Sequence, residues 1–213
     1  MSRFYVPFSL FILFTLASCG PTIFTSPNFQ QARKQHKTLA ILPFDVLIGT
    51  TKLPKNVTKE MVLQQQEETG YSLQSNVYTY FLNEQKKNKY TIDFQDIDKT
   101  NALLKKAGIS YDVLDSQTKE ELCNLLGVDA VMTGRATMEK PMSDGGAIAV
   151  GVLFGFWGST NRVDVNVNIH DKNDSKLLWK YDYQASGSVG SSTEQLSRSL
   201  MKNVSKKFPY KKE

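Results

Sequence analysis

Cysteine and histidine are scarce, with 2 of each in 213 residues. So few thiols cannot build the disulfide framework of a small secreted scaffold, and no His/Cys/carboxylate cluster has the spacing of a metal site. Nor is there an apolar run of about 20 residues, the length a helix needs to cross a bilayer. The catalytic signatures are missing too. Ser116 to Lys119 and Ser199 to Lys202 match S-x-x-K, but no S-D-N or K-T-G element accompanies either. Asp171 to Asp174 offers oxygen atoms without the glycine and distal glutamate of a calcium loop, and is better explained as a hairpin turn. Gly187 to Gly190 lacks the lysine of a phosphate-binding loop. Asp93, Asp96 and Asp98 cluster near a strand end, where helix capping and a solvated face account for them. No catalytic residue, cofactor, metal or small-molecule substrate is expected.

The first residues carry the strongest signal. Arg3 precedes an apolar run from Phe4 to Ala17, which has the length and flanks of a secretory signal. Leu16-Ala17-Ser18-Cys19 then matches the lipobox of bacterial lipoproteins. Small residues before the cut suit a peptidase acting between Ser18 and Cys19, after a diacylglycerol has been joined to the sulfur. Two chains on the glycerol and a third, palmitate-type chain on the freed amine make strong anchoring, whereas one chain alone is marginal. Residues 1–18 are therefore expected to be a signal peptide, and 19–37 a lipidated tether with Cys19 as the lipidation site. No Asp follows Cys19, which favours the outer membrane with the body facing the periplasm.

The remainder is globular in composition, with 40% hydrophobic and 22% charged residues. It suits one domain, expected over 38–209, with a polar tail at 210–213. The net charge is +5, concentrated near Lys34–Lys37, Lys86–Lys89 and Lys202–Lys212. Solvated faces explain such clusters; contact with anionic headgroups or cell-wall polymer is the sharper alternative. The envelope location argues against nucleic acid as a partner. Cys123, between Leu122 and Leu125 on a helical pattern, is expected to be a buried, inert thiol.

Along the chain, Leu39 to Phe44 forms an apolar strand stopped by Pro43 and Asp45. A helix is expected from Lys59 to Glu84, with Gly70 as a break or boundary. Tyr90 to Phe94 alternates like a strand. Asp98 or Thr100 is expected to cap a helix that stops at Gly108, and Thr118 with Glu121 forms a capping box for another that stops at Gly127. Val128 to Thr137 leads into a strand. Val163, Val165, Val167 and Ile169 alternate with polar residues, as do Leu177, Trp179, Tyr181 and Tyr183 beyond a turn. That is a half-buried antiparallel hairpin. A second capping box, Ser191 to Glu194, opens an amphipathic helix through Leu196, Leu200, Val204 and Phe208. The expected fold is α/β (α+β): a mixed sheet of about five strands with helices packed on it, ending in the hairpin and that helix.

Residues 145–158, GGAIAVGVLFGFWG, form an uncharged run of 14 residues. At period two, Ile148, Val150, Val152, Phe154 and Phe156 share a face; at period four, Ala147, Gly151 and Gly155 form a small-residue ridge. Three readings stand: an apolar insertion packed on the core, a protein–protein contact, or a membrane strand, which would require closure into an oligomeric barrel. Gly151, Val152, Phe154, Gly155, Phe156 and Trp157 are the candidate partner or membrane contacts.

The succession of lipobox, LAILPFD at 39–45, KTNALLKKAGI at 99–109, ELCNLLGVDAVMTGRAT at 121–137, LLWKYDY at 177–183 and a last amphipathic helix resembles a group of envelope lipoproteins. The group includes the curli secretion-channel lipoprotein, the activators of penicillin-binding proteins and the auxiliary lipoproteins of ABC-type transport, with a fold like the N-terminal domain of the Tol–Pal translocation protein. The resemblance covers roughly residues 38–208 and transfers no catalytic residue. It implies a non-enzymatic, periplasm-facing accessory or scaffold of an envelope assembly, transport or cell-wall complex. The alternative it implies is an oligomeric outer-membrane secretion pore using 145–158, although the secretion channel uses two membrane hairpins per subunit where this chain offers one such segment.

Overall fold

The computed structural model describes residues 21–49, 57–139, 162–186 and 193–212. They form one mixed sheet of seven strands with helices packed against it. The C-terminal half supplies its antiparallel portion: β5 (Ala130–Glu139) pairs with β6 (Arg162–Asp171), and β6 with β7 (Leu177–Ser186). The Val/Ile alternation of β6 puts Val163, Val165, Val167 and Ile169 in the core, as the period-two pattern requires.

On the other side of β5 lie two short parallel partners in succession. β2 (Thr38–Ile41) pairs with Ala130 to Met132, and β3 (Asp45–Gly49) pairs with Arg135 to Glu139. The expected strand through Phe44 is thus broken at residues 42–44, and pairing resumes on the same partner. Pro43 has no N–H to give a ladder, which suits it to this break. A two-residue β4 (Asp93–Phe94) completes that side, parallel to β2. Tyr90 and Ile92 alternate into the core with Phe94 as expected, but Tyr90 makes only an isolated bridge to Lys211.

The segment expected as a tether is folded from Thr22 onward. β1 (Thr22–Thr25) lies antiparallel to β7 at the sheet edge, and α1 (Phe29–Gln35) buries Phe29 and Ala32. Phe29 packs edge-on to Tyr210, with ring centres 5.2 Å apart. The packed body therefore extends beyond the expected bounds 38–209 at both ends.

One sheet face carries α2 (Lys59–Gln85) and the last helix, α5 (Thr193–Lys207). Leu73, Val77 and Phe81 of α2 and Leu196, Leu200 and Val204 of α5 are buried in the same core cluster. Phe208, just after α5, and Phe81 are 4.6 Å apart between ring centres. Gly70 does not break α2. A Cβ there would meet the Phe44 carbonyl oxygen at 2.3 Å, so the glycine lets the 42–44 break cross the helix closely.

Among the described residues the opposite face is covered only beside β2, by α3 (Ile97–Lys106), a 3-10 turn at Tyr111–Ser116 and α4 (Lys119–Leu126). The cap of α3 is Asp96, not Asp98 or Thr100: its carboxylate accepts from the N–H groups of Asp98 and Lys99. Thr100 is instead buried, its hydroxyl donating to Gln95 at 2.9 Å. The Thr118/Glu121 capping box forms, and Gly127 ends α4 in the left-handed region with φ 67°. Cys123 is fully buried, and burial pushes its thiol up to about 12. Among the described residues no helix is long and apolar enough to cross a membrane.

Candidate functional site

Among the described residues, the uncovered half of the second face and the side of β3 away from β5 make a two-part groove. Among the described residues β3 bonds to β5 alone. Along its other side runs a hollow of about 530 Å³, bordered by Leu47, Leu63, Glu67, Tyr111 and Asp115. Leu47 is 44% exposed and Leu63 62% exposed, both apolar and both facing this hollow. A second hollow of about 440 Å³ adjoins it over β5 to β7, reaching Asn168, His170 and Lys180. Asp45, Asp115, Lys119, Thr133 and Gly134 border both.

The floor is built by close backbone approach. Phe44 donates its N–H to the Gly70 carbonyl at 3.2 Å. Its own carbonyl accepts from the Tyr111 hydroxyl at 2.7 Å, and that hydroxyl accepts from the Val46 N–H at 2.9 Å. Burial, opposed by the Val46 bond, pushes the Tyr111 phenol up to about 12. Gln74, buried on α2, donates to the Ile41 carbonyl at 2.7 Å and holds the break from beneath. Between the two hollows Arg135 bridges Asp45 at 2.5 Å and Asp115 at 2.8 Å. The polar groups at the centre of the groove are thus engaged with one another. Such an arrangement can seat a chain or a surface.

A separate buried cluster was not legible in the sequence. His36, placed in the expected tether, is 7% exposed; its Nδ1 lies 2.6 Å from the Tyr210 hydroxyl and its Nε2 3.6 Å from Asp171. The Asp171 carboxylate also accepts from the Asn173 N–H at 2.9 Å. The cluster fastens α1 and the C-terminal residues to the β6–β7 turn, and Arg33 adds a bond to the Lys211 carbonyl.

Other sequence candidates have local roles. Asp93 accepts from Gln85, and Asp96 caps α3. The Ser199 hydroxyl pairs with Tyr183 at 2.5 Å, and that of Ser116 donates to the Val113 carbonyl. Among the described residues no group of three or more His, Cys, Asp or Glu could hold a metal ion. Cys19, the lipobox, the Ser191 cap and residues 145–158, including Gly151, Val152, Phe154, Gly155, Phe156 and Trp157, lie outside the described residues. The groove residues Asp45, Tyr111, Asp115 and Arg135 were missed because only strand register and a distant turn bring them together.

No protein-family model and no curated protein matches this chain. Among solved structures it is similar to lipoprotein GNA1162 from Neisseria meningitidis, at 14% identity over 80% of this chain and 96% of that one, with a TM-score of 0.47. It is similar to PelC from Paraburkholderia phytofirmans, solved as a dodecamer, at 13% identity over 87% and 94% of the two chains, TM-score 0.42. It is also similar to the C-terminal domain of LpoB from Salmonella enterica, at 8% identity over 74% and 95%, TM-score 0.36. At these identities the likeness is one of fold alone.

Proposed function

We propose that this chain is a bacterial envelope lipoprotein whose domain serves as a non-enzymatic accessory or scaffold of an envelope assembly, transport or cell-wall complex. The observation that carries this reading is Leu16-Ala17-Ser18-Cys19 at the end of a secretory apolar run. Cleavage before Cys19 leaves its sulfur bearing a diacylglycerol and its amine free for a third acyl chain. The residues after Cys19 favour the outer membrane, with the domain facing the periplasm. The groove along β3 supports a docking role, because its apolar rim is exposed while its charged centre is internally paired. Growth with a labelled fatty acid tests the anchor: label is expected in the protein, and none after Cys19→Ala. An unlabelled wild-type protein contradicts it.

A second reading, an oligomeric secretion pore, is favoured by the uncharged run 145–158 between β5 and β6. A ring of many subunits in detergent supports it, and a monomer or dimer rules it out.

A further inference from the structure

We infer that the lysine-rich end shared by α2 and α5 rests on anionic phospholipid headgroups, so that the domain lies against its membrane in one orientation. This rests on the lipid anchor proposed above and adds to it a surface and a lipid chemistry.

The described fold starts at Pro21, and β1 begins at Thr22. Only Gly20 separates Pro21 from Cys19. Two extended residue steps span about 7 Å at most. A domain tied so closely has no free tether, and the surface near Pro21 must face the headgroups. Ile23, two residues on, is apolar and exposed.

Pro21 borders a hollow shared with Asn203 of α5. Lys202, Lys206 and Lys207 surround Asn203 on that helix and are exposed, as are Lys211 and Lys212 beyond it. Residues three and four apart on a helix are surface neighbours. The end of α2 joins this patch: the Tyr80 hydroxyl lies 3.1 Å from that of Ser205, and Lys212 donates its N–H to the Lys89 carbonyl at 2.7 Å. That places the exposed Lys86 and Lys87 on the same end. Glu84, paired with Lys87 and Lys89, offsets only part of the charge.

The far end of α2 has the opposite character. The hollow beside Leu63 is bordered by Asp45, Glu67, Asp112 and Asp115, against Lys119 and the Arg135 that pairs Asp45 and Asp115, which leaves the acidic groups in excess. Over the 27 residues of α2, a helix about 40 Å long separates an acidic end from a basic one. An anionic surface attracts the lysines within about a Debye length and repels the acidic end. The short link selects a membrane over a soluble anionic polymer, because it fixes this end at the bilayer.

Fluorophores on Asn83→Cys and on Leu63→Cys test the orientation, since both sites are exposed and Cys123 is buried. The full-length lipoprotein is placed in vesicles with a headgroup-attached quencher. In vesicles containing phosphatidylglycerol, the Asn83 label should be quenched several-fold more than the Leu63 label. The preference should shrink in phosphatidylcholine alone, in high salt, and in a K202Q/K206Q/K207Q/K211Q variant. Equal quenching of the two labels, or an equal preference without phosphatidylglycerol, overturns the inference. Failure of the anchor shows separately, as loss of flotation with neutral vesicles. Flotation with phosphatidylglycerol vesicles alone would then still support the lysine surface, and flotation with neither overturns both.

Discussion

The ring of Phe44 lies against the α-carbon of Gly134, so closely that a Cβ at Gly134 would come within 2.2 Å of the ring. Phe44 cannot retreat, because its backbone is bonded to Gly70 on one side and Tyr111 on the other. Gly134→Ala should therefore cost about 1–3 kcal/mol in urea unfolding, in the range of an overpacked core. Phe44→Leu in the same chain should return part of that loss. Strictly additive effects would contradict the contact.

The clasp of α1 gives a second expectation. Tyr210→Phe removes the hydroxyl beside His36 and leaves a buried ring nitrogen without that partner. The cost should be about 1–3 kcal/mol, measured by thermal or urea unfolding. A neutral result would mean that His36 finds another partner.

Acid should destabilise the domain in two windows. Burial chiefly, with Lys119 adding to it and the Ser175 carbonyl opposing, lowers the His170 pKa below its ordinary 6.5. The unfolded chain then binds the proton more readily, so stability falls as pH drops through about 6.5 toward the folded value. Burial pushes Asp129 upward, but the N–H groups of Lys37 and Thr38, with His36 and Lys172 nearby, outweigh it and hold the carboxyl below its ordinary 3.8. Its contribution is present above about 3.8 and is lost as pH falls from there through the folded value. His170→Gln should flatten the upper part of a stability–pH curve, and Asp129→Asn the lower part. Unchanged curves in both variants would contradict these assignments.

How much the sequence discloses depends on whether the signal is local. The hairpin, the Thr118 capping box and the apolar faces of α2 and α5 are local patterns, and each is present. β1 is exposed at every position and carries no alternation, so nothing local marks it as a strand. β3 is short, and its status depends on distant residues of β5. Gly70 resembles a breaker until the chain segment crossing it is seen. The groove is less legible still: Asp45 and Arg135 are partners in a parallel register, and Asp115 reaches Arg135 from a 3-10 turn.

Cys123 should be unreactive in the native protein. Attack requires the thiolate, and a buried thiol raised to about 12 has almost none near neutral pH. A thiol reagent at pH 8 should modify the protein only after unfolding. With Cys19 blocked by lipid, denatured protein should show one reactive thiol, and two would count against the anchor.

The most direct measurement is tandem mass spectrometry of the N-terminal peptide of the mature protein isolated from its membrane. The expected result is a chain that begins at Cys19, with a diacylglyceryl group on sulfur and an acyl chain on the amine. A mature protein that keeps residues 1–18, or begins at Cys19 without lipid, contradicts it.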